Sequence, residues 1–403
     1  MHPAKEIQGS KSSALSKKRI VLGVSGSIAA VESIRLAREF IRHDAEVIPV
    51  MTNAATSIIH PDALWFATGH RPIVSLTGET EHVKWCGKGK DKVDALVISP
   101  CTANTISKIA YGIDDTPVST FATTAIGSQI PVIIVPAMHL SMYDHDIVQE
   151  NVQKLRNHGI VFIDPFIDKT KAKMASIEHI CLGVQQVLGS HDLQKKKVLV
   201  IGGGTAEPVD AVRTLSNTSS GTMAISLALQ AFLRDAEVHL WYGCASEPIP
   251  DVITKTHRFK TIDELNTLIN DQQLVAFDII IVCAALSDFI PKKTDEKFSS
   301  DLPTLSITCE SSPKILPLIR RKTKDAILVG FKLEKKKKEL VNKAFLLLKK
   351  DSLDFVVANT IENVNSSEGE VWVVDKESNQ VHIKGEKDQI AAGIYDKILD
   401  KDH

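Results

Sequence analysis

The sequence predicts an α/β protein made of two doubly wound, Rossmann-like domains with parallel sheets. Two observations lead to this prediction. Short apolar runs alternate with helical patterns through both halves of the chain, as repeated β-α units do. The chain of 403 residues is also too long for one ordinary hydrophobic core. It fits two domains of about 200 residues each.

The first half shows this alternation from its start. Strands are predicted at Arg19–Val24, Glu46–Met51, Ala95–Ser99 and Val132–Val135, and a helix at Ile28–Ile41. Ligands of parallel sheets bind at the carboxyl ends of the strands, so the residues that follow each strand are the candidate site. Those residues are polar clusters, at 25–27, 52–53, 100–105 and 136–142.

The second half is organised around residues 198–223, VLVIGGGTAEPVDAVRTLSNTSSGTM. A buried strand runs into three glycines, and a polar run at 216–221 precedes a helix predicted from near Thr222. Glycines let backbone amides approach a phosphate, and a helix start adds amide donors and a positive dipole end. This segment therefore predicts an anion site. An ordinary Rossmann turn is the alternative, although Glu207 stands where the third fingerprint glycine would be.

Domain boundaries follow from changes in pattern. Residues 1–17 are polar and without periodicity, which predicts a disordered tail. The first domain is assigned to 18–188, a linker of small and polar residues to 189–196, and the second domain to 197–403. Later strands are predicted at Glu237–Tyr242, Phe277–Ala284, Ile327–Gly330 and Phe355–Ala358, and a hairpin at Val371–Ile383.

The composition argues against several classes of protein. The net charge of −1 gives no global basic field for nucleic acid or an anionic membrane. No apolar run reaches the roughly 18 residues needed to span a bilayer. The six cysteines form no CxxC pair and no metal-binding spacing, which predicts reduced thiols in the cytoplasm. We therefore expect small-molecule partners and neither nucleic acid nor membrane.

Three spaced motifs in the first half resemble the FMN-binding cysteine decarboxylases, the family of phosphopantothenoylcysteine decarboxylase. They are GSIAA at 26–30, SPCTANTISKIAYGIDD at 99–115 and PAMHLSMY at 136–143. The resemblance implies an FMN cofactor and substrate contacts by His139 and Met142. The cofactor contacts that it implies are Gly26, Ser27, Ile28, Thr52, Ser99, Thr102, Asn104 and Thr105.

His82, in EHVKW, aligns with the histidine that this family uses in catalysis. An imidazole can accept and return protons at cellular pH, so the residue type suits the role. A satisfied structural histidine is the alternative reading of the residue alone. His139 departs from the family pattern, because bacterial members carry asparagine there.

A second departure concerns the flap that carries a catalytic cysteine in the family. It is expected at residues 164–174, DPFIDKTKAKM, which contain no cysteine. Cys181 follows in a predicted helix and is expected to be a buried core thiol. The proton that the flap cysteine would deliver to the enethiolate product must then come from another group, and Lys171 and Lys173 are candidates.

The glycine-rich segment of the second half resembles the signature of phosphopantothenate–cysteine ligases, with Thr222 where the family usually carries lysine. CAALSDFIPKKTDEKFSS, VGFKLE and LLLKKDSLDFVVAN continue the resemblance in order. It implies catalytic roles for Arg213, Asn217 and Lys297. The nucleotide contacts that it implies are Gly203, Gly204, Thr205, Ala284, Asp288, Lys297, Phe331, Lys349 and Lys350. Mg²⁺ is expected with the triphosphate, and the sequence identifies no ligands for it.

Together the two resemblances imply a bifunctional enzyme of coenzyme A biosynthesis. The second half would join 4'-phosphopantothenate to cysteine through an acyl-cytidylate. The first half would decarboxylate the product to 4'-phosphopantetheine. Fused members use CTP, although the sequence itself does not distinguish CTP from ATP. The family also implies a homo-oligomer with trimeric flavodomains and dimeric ligase domains, an arrangement that allows a dodecamer.

Other readings remain open at this point. One is a ligase whose flavin-binding domain has lost decarboxylation and become regulatory, which the missing flap cysteine favours. Another keeps the flavoprotein but changes its substrate to a peptide C-terminal cysteine or to the flavin itself. The ligase half argues against this second reading, since neither substrate needs it.

Overall fold

A computed structural model describes residues 2–168, 171–292, 294, 296–298, 304–361, 366 and 368–400. The chain divides into two units, Met1–Gly189 and Ser190–His403. Both are α/β, with strands and helices alternating along the chain as predicted. No described helix is long and apolar enough to cross a bilayer.

The first unit is built on a five-stranded parallel sheet in the order β2-β1-β3-β4-β6. Its strands are β1 (Arg19–Val24), β2 (Glu46–Met51), β3 (Ala95–Cys101), β4 (Val132–Pro136), β5 (Met138–His139), β6 (Val161–Phe162), β7 (Phe166–Asp168) and β8 (Lys171–Lys173). Its helices are α1 (Pro3–Glu6), α2 (Ser33–Arg42), α3 (Asn53–Thr56), α4 (Pro61–Thr68), α5 (Glu81–Cys86), α6 (Ala103–Ala110), α7 (Pro117–Gly127), α8 (Leu140–Tyr143), α9 (Asp146–Asn157) and α10 (Ile177–Val187).

The four strands predicted for this half are confirmed, and β3 and β4 run slightly further than expected. All seven residues of β3 are buried, which explains why the strand is a continuous apolar run in the sequence. The helix predicted at Ile28–Ile41 is instead a 3-10 turn, Ile28–Glu32, followed by α2. After β2 the chain crosses past β1 to β3, and this reversal of strand order defines a binding crevice between β1 and β3.

The prediction of a disordered tail at 1–17 is wrong for the described residues. Leu15 is fully buried, and its amide donates to the carbonyl of His43 (2.8 Å). The amide of Gly9 donates to the carbonyl of Ile41 (3.0 Å), and α1 packs near α4. This segment is held mainly by backbone hydrogen bonds to the end of α2, which its side-chain pattern does not reveal.

The second unit contains an eight-stranded sheet in the order β13-β12-β9-β14-β17-β18-β19-β20. The described strands of the whole unit are β9 (Lys197–Gly202), β10 (Ala206–Pro208), β11 (Thr214–Ser216), β12 (Glu237–Tyr242), β13 (Lys255–Arg258), β14 (Ile279–Val282), β15 (Phe289–Pro291), β16 (Cys309–Ser311), β17 (Ile327–Glu334), β18 (Phe355–Thr360), β19 (Glu368–Asp375) and β20 (Gln380–Glu386). Its helices are α11 (Thr222–Leu233), α12 (Ile262–Asp271), α13 (Ile315–Lys322), α14 (Lys337–Asp351) and α15 (Lys387–Leu399).

The first six strands of this sheet are parallel, and β19 and β20 form an antiparallel hairpin at one edge, as predicted. The strand order reverses between β9 and β14, which places the binding crevice at their carboxyl ends. Of the segment predicted as a linker, 189–196, residues 190–196 are part of this unit. Leu193 is fully buried there, and its amide donates to the carbonyl of Arg234 (3.0 Å).

Candidate active sites

In the first unit the predicted cofactor residues gather where β1 and β3 end. Ser25 links the two strands: its hydroxyl donates to the carbonyl of Pro100 (2.8 Å) and accepts from the amide of Thr102 (3.0 Å). Thr102 then caps α6 by accepting from the amide of Thr105 (3.3 Å). The start of α6, with its amide donors, therefore lies at the crevice.

The remaining cofactor residues divide into exposed and buried positions. Ile28 and Asn104 are exposed beside the crevice, and Ser27 and Thr52 cap the short helical segments that follow β1 and β2. Ser99 is different, since it is fully buried and its hydroxyl donates to the sulfur of Met174 (3.6 Å). An apolar ring and an anionic group both fit this set, but Ser99 supports the site from behind rather than facing it.

Gly26 lies where β1 meets α3. A β-carbon at this position would lie 2.4 Å from the β-carbon of Ala54, far inside van der Waals contact. We expect Gly26→Ala to push the two loops apart and to weaken flavin retention about 10- to 100-fold, as overpacking by one methyl group does. Flavin absorbance of the purified protein measures this. Gly127→Ala, at a position with nothing within 4 Å, is the matched control and should remain as yellow as wild type.

His82 lies on α5 with its ring edge against Phe121, at 6.5 Å between ring centroids. Its Nδ1 is buried and finds no hydrogen-bond partner within the part of the chain that the structure describes. Buried polar atoms are nearly always paired, so this ring nitrogen calls for a partner such as a water molecule or a ligand. This geometry favours a functional histidine over a satisfied structural one.

The predicted substrate segment and the flap form one small sheet. Strands β7 and β8 make a hairpin, and β8 pairs with β5, so Lys171 lies opposite His139 in the backbone register. His139 Nδ1 is 2.6 Å from the hydroxyl of Ser141, and Met142 is half exposed. The side chain of Lys171 lies outside what the structure describes.

Asp164 anchors the beginning of the flap. It accepts from the Tyr143 hydroxyl (3.0 Å) and pairs with Arg156 (2.6 Å). Burial and the nearby Asp164 carboxylate raise the pKa of Tyr143 to about 12, so its hydroxyl remains a donor. Cys181 is buried as predicted, and burial raises the pKa of its thiol to about 12, which leaves it without thiolate character.

In the second unit a cavity of about 220 Å³ opens where β9 and β14 end. Gly203, Ala284 and Phe331, three of the predicted nucleotide contacts, line it. The first turn of α11 also contributes, and its amides have no acceptor within the helix. The full set of lining residues is Gly203, 218–224, 283–285, Phe331, Leu333, Asn359, Val371 and Lys387.

Two predicted phosphate contacts are corrected by their hydrogen bonds. The amide of Gly204 donates to the carbonyl of Cys244 (2.7 Å), and that of Thr205 donates to Ala285 (3.3 Å). Thr205 is also fully buried, with its hydroxyl bonded to Ser287 (3.1 Å). These amides are used to join the loops. The amide of Thr222 donates to the Ser220 hydroxyl (3.4 Å), so the amides of Met223 and Ala224 in the first turn of α11 are the better source of phosphate donors.

The predicted lysines of α14 are also corrected. Lys349 and Lys350 lie in the last turn of a helix that returns from the carboxyl to the amino edge of the sheet. Just beyond them the amide of Asp354 donates to the carbonyl of Leu328, near the beginning of β17. A helix of this length spans about 20 Å, so its last turn lies at the edge opposite the cavity.

Asp288 and Lys297 are not among the residues that line the cavity. Asp288 is exposed and pairs with Lys314 (2.7 Å), and Lys297 is exposed. Asn217 precedes the lining residues directly, and its side-chain amide donates to the carbonyls of Ala285 (3.3 Å) and Leu286 (3.2 Å). Asn217 thus joins the polar run to the loop after β14.

Arg213 is held by the carboxylate of Asp210, which is 3% exposed. That carboxylate also accepts from the amides of Val212 (2.8 Å), Arg213 (2.7 Å) and Phe298 (3.1 Å). Arg213 donates to the carbonyl of Phe298 (3.3 Å). Asp210 therefore ties the predicted substrate clamp to the segment that carries Lys297.

We expect Asp210→Asn to lower, by about 100-fold, the rate of pyrophosphate release in the ligase reaction that the resemblance implies. Small displacements of positioned groups can reduce a reaction rate by this factor. Burial acts to raise the pKa of Asp210, but the three amides and Arg213 outweigh it and hold that pKa below its usual value of 3.8. The carboxylate therefore stabilises the fold above that pH and loses this effect as the pH falls further.

Thermal unfolding of wild type and Asp210→Asn at several pH values checks the sign. The difference between their midpoints should be largest near neutral pH and should shrink below pH 3.8. Asp271→Asn, at the exposed end of α12, is the control. A difference that grows in acid would contradict the assignment.

Sequence reasoning missed two polar residues of the cavity, Asn359 and Lys387. Asn359 ends the VVAN stretch, so the motif contained it without marking its role. Lys387 begins α15 behind a capping box of Glu386 and Gln389. A lysine at the start of a helix opposes the helix dipole, and this was the available signal.

Comparison with known proteins agrees with this division. Residues 8–189 match the family model described as Flavoprotein, and residues 193–401 match that of the DNA/pantothenate metabolism flavoprotein C-terminal domain. Fold and sites together define a two-unit flavoprotein of pantothenate metabolism.

Curated relatives give the particular family. The coenzyme A biosynthesis bifunctional protein CoaBC of Thermococcus kodakarensis is 41% identical over 99% of this chain and 99% of its own length. That of Methanocaldococcus jannaschii is 37% identical over 99% and 97%. The chain belongs to the family of coenzyme A biosynthesis bifunctional proteins CoaBC.

Two solved structures are similar to parts of this chain. The FMN-dependent cysteine decarboxylase SpaF is 28% identical, covering 43% of this chain and 97% of its own, with a TM-score of 0.37. The C-terminal domain of a CoaBC protein is 24% identical, covering 52% and 97%, with a TM-score of 0.44.

Proposed function

We propose that the two units perform consecutive steps of coenzyme A biosynthesis. The second unit joins 4'-phosphopantothenate to cysteine with CTP through an acyl-cytidylate. The first unit decarboxylates 4'-phosphopantothenoylcysteine to 4'-phosphopantetheine with FMN. The observation that carries this proposal is that the chain matches bifunctional relatives over its full length and has a site at the switch point of each parallel sheet.

In the ligase step the cavity binds the nucleotide. Phe331 and Ala284 offer apolar surface for a base, and the first turn of α11 offers amides for phosphates. Arg213, set by Asp210, clamps the second anionic substrate, and Asn217 positions the polar run beside the carboxylate that is activated. Donors fixed in advance stabilise the charge that develops when pyrophosphate leaves. Mg²⁺ would arrive bound to the triphosphate. The ion then needs only one or two ligands from the protein.

In the decarboxylase step the crevice between β1 and β3 holds the cofactor. The helix start at Thr102 suits its anionic end, and exposed Ile28 suits its ring. A bound flavin supplies the hydride acceptor that makes loss of CO2 from a cysteine amide feasible. His82 exchanges a proton at its orphaned Nδ1, and the hairpin of β7 and β8 covers the substrate beside His139.

The test is one incubation of the full chain with 4'-phosphopantothenate, cysteine, Mg²⁺ and either CTP or ATP. We expect pyrophosphate, CO2 and a product with the mass of 4'-phosphopantetheine, with CTP as the better nucleotide. Pyrophosphate without CO2 would mean that the flavin unit has lost its chemistry. A colourless protein that turns over neither nucleotide would refute the proposal.

We further propose a cytoplasmic homo-oligomer. All six cysteines are free thiols, as in reducing compartments. Ile28 is 79% exposed, and Val31 next to it is also exposed, so apolar surface adjoins the flavin crevice. Such surface is typical of contacts between copies. Sedimentation velocity tests this, and a sedimentation coefficient of a single chain would contradict it.

A further inference from the structure

Lys387, the first residue of α15, lines the cavity of the second unit together with the first turn of α11. The two helices are fixed together. Asp388, next to Lys387, accepts from the Ser226 hydroxyl (2.6 Å), and the Tyr395 hydroxyl donates to the carbonyl of Leu227 (3.1 Å). Lys387 is therefore held beside the end of α11 where the amides of the first turn lie.

Lys387 places a positive charge at the start of a helix. Cations at a helix start oppose the positive end of the helix dipole. The side chain is also half-buried, and burial lowers the pKa of its ammonium group. An anion bound in the cavity would attract this ammonium group.

A cavity that binds a polyanion needs positive charge in its lining. Of the described residues that line it, Lys387 alone has a cationic side chain, and none has a carboxylate. The other lining groups near the start of α11 are small or hydroxylic, from Thr218 to Thr222. They can donate hydrogen bonds but cannot neutralise a polyanion.

We propose that Lys387 binds the phosphates of the nucleoside triphosphate in the ligase step. This inference rests on the proposed function of the second unit and adds a residue that neither the glycine-rich motif nor the strand-end motifs include. The start of α11 supplies amides from one side and the ammonium group of Lys387 supplies charge from the other.

The experiment measures binding of CTP, ATP and cytidine by calorimetry to full-length wild type, Lys387→Met and Lys387→Arg. Lys384→Met, an exposed lysine three residues earlier, is the matched control. We expect Lys387→Met to weaken binding of the preferred triphosphate about 10- to 100-fold, the usual range for a lost charged hydrogen bond. Cytidine binding should not change, and Lys387→Arg should retain most of the affinity.

Kinetics add a second readout. The KM for the triphosphate should rise in Lys387→Met, while CO2 release from supplied 4'-phosphopantothenoylcysteine stays at the wild-type rate. If Lys387→Met does not fold, Lys387→Gln takes its place. Equal loss of cytidine binding, or unchanged triphosphate binding, would overturn the inference alone. A wild-type protein that binds neither triphosphate would overturn the proposed ligase function as well.

Discussion

Replacing His82 with asparagine is expected to lower CO2 release about 10²- to 10⁴-fold, the range for loss of a general acid-base group. Asparagine keeps a polar side chain of similar reach but cannot exchange a proton at neutral pH. The ligase step lies in the other unit, so pyrophosphate release should be unchanged. The reaction mixture should then accumulate 4'-phosphopantothenoylcysteine, which mass spectrometry detects.

Two controls make this result specific. His158→Asn alters an exposed histidine of the same unit and should leave both activities at the wild-type level. The flavin absorbance of His82→Asn should equal that of wild type, because the helix start and loops that hold the cofactor are intact. Normal CO2 release by His82→Asn would show that another group moves the proton.

Gly221→Ala is expected to lower pyrophosphate release about 100-fold or more, since displaced binding groups cost that much. Gly221 immediately precedes α11 at φ +81°, and an added β-carbon would lie 2.0 Å from the hydroxyl oxygen of buried Tyr242. The start of α11 or the side chain of Tyr242 must therefore move. Thermal unfolding should also begin at a lower temperature, because overpacking destabilises a core.

Gly112→Ala is a control for the effect of backbone strain without a steric clash. Gly112 has φ +67° with nothing within 4 Å, so alanine there adds backbone strain without a clash. It should leave nucleotide binding unchanged. Combining Gly221→Ala with Tyr242→Phe removes the closest clashing atom and should restore part of the ligase activity, a coupling that a double-mutant cycle measures. Purely additive losses would argue against the clash.

The sheets could be predicted from the sequence because buried parallel strands consist of nearly continuous apolar runs. β1, β2 and β12 coincide with their predicted ranges, and the polar residues after β1 and β3 do meet at one crevice. A cavity lies after β9, where the glycines and the helix start predict an anion site, and the anion site itself stays a prediction. Here local pattern and global topology agree.

What could not be predicted depends on contacts distant in sequence. Leu15 is one apolar residue in a polar stretch, and backbone bonds to α2 decide its burial. Lys349 and Lys350 were placed by motif similarity, but the direction of α14 carries them to the far edge of the sheet. Lys387 reaches the cavity only because α15 packs on α11, more than 150 residues earlier.

The pairing of β8 with β5 has a consequence for how the decarboxylase site can diverge. The hairpin is positioned by main-chain hydrogen bonds to Met138 and His139, and any residues that keep an extended backbone can make these. Its side chains can therefore change without altering the position at which β8 pairs with β5. The absence of a cysteine from residues 164–174 therefore bears on the source of the proton and not on this backbone pairing.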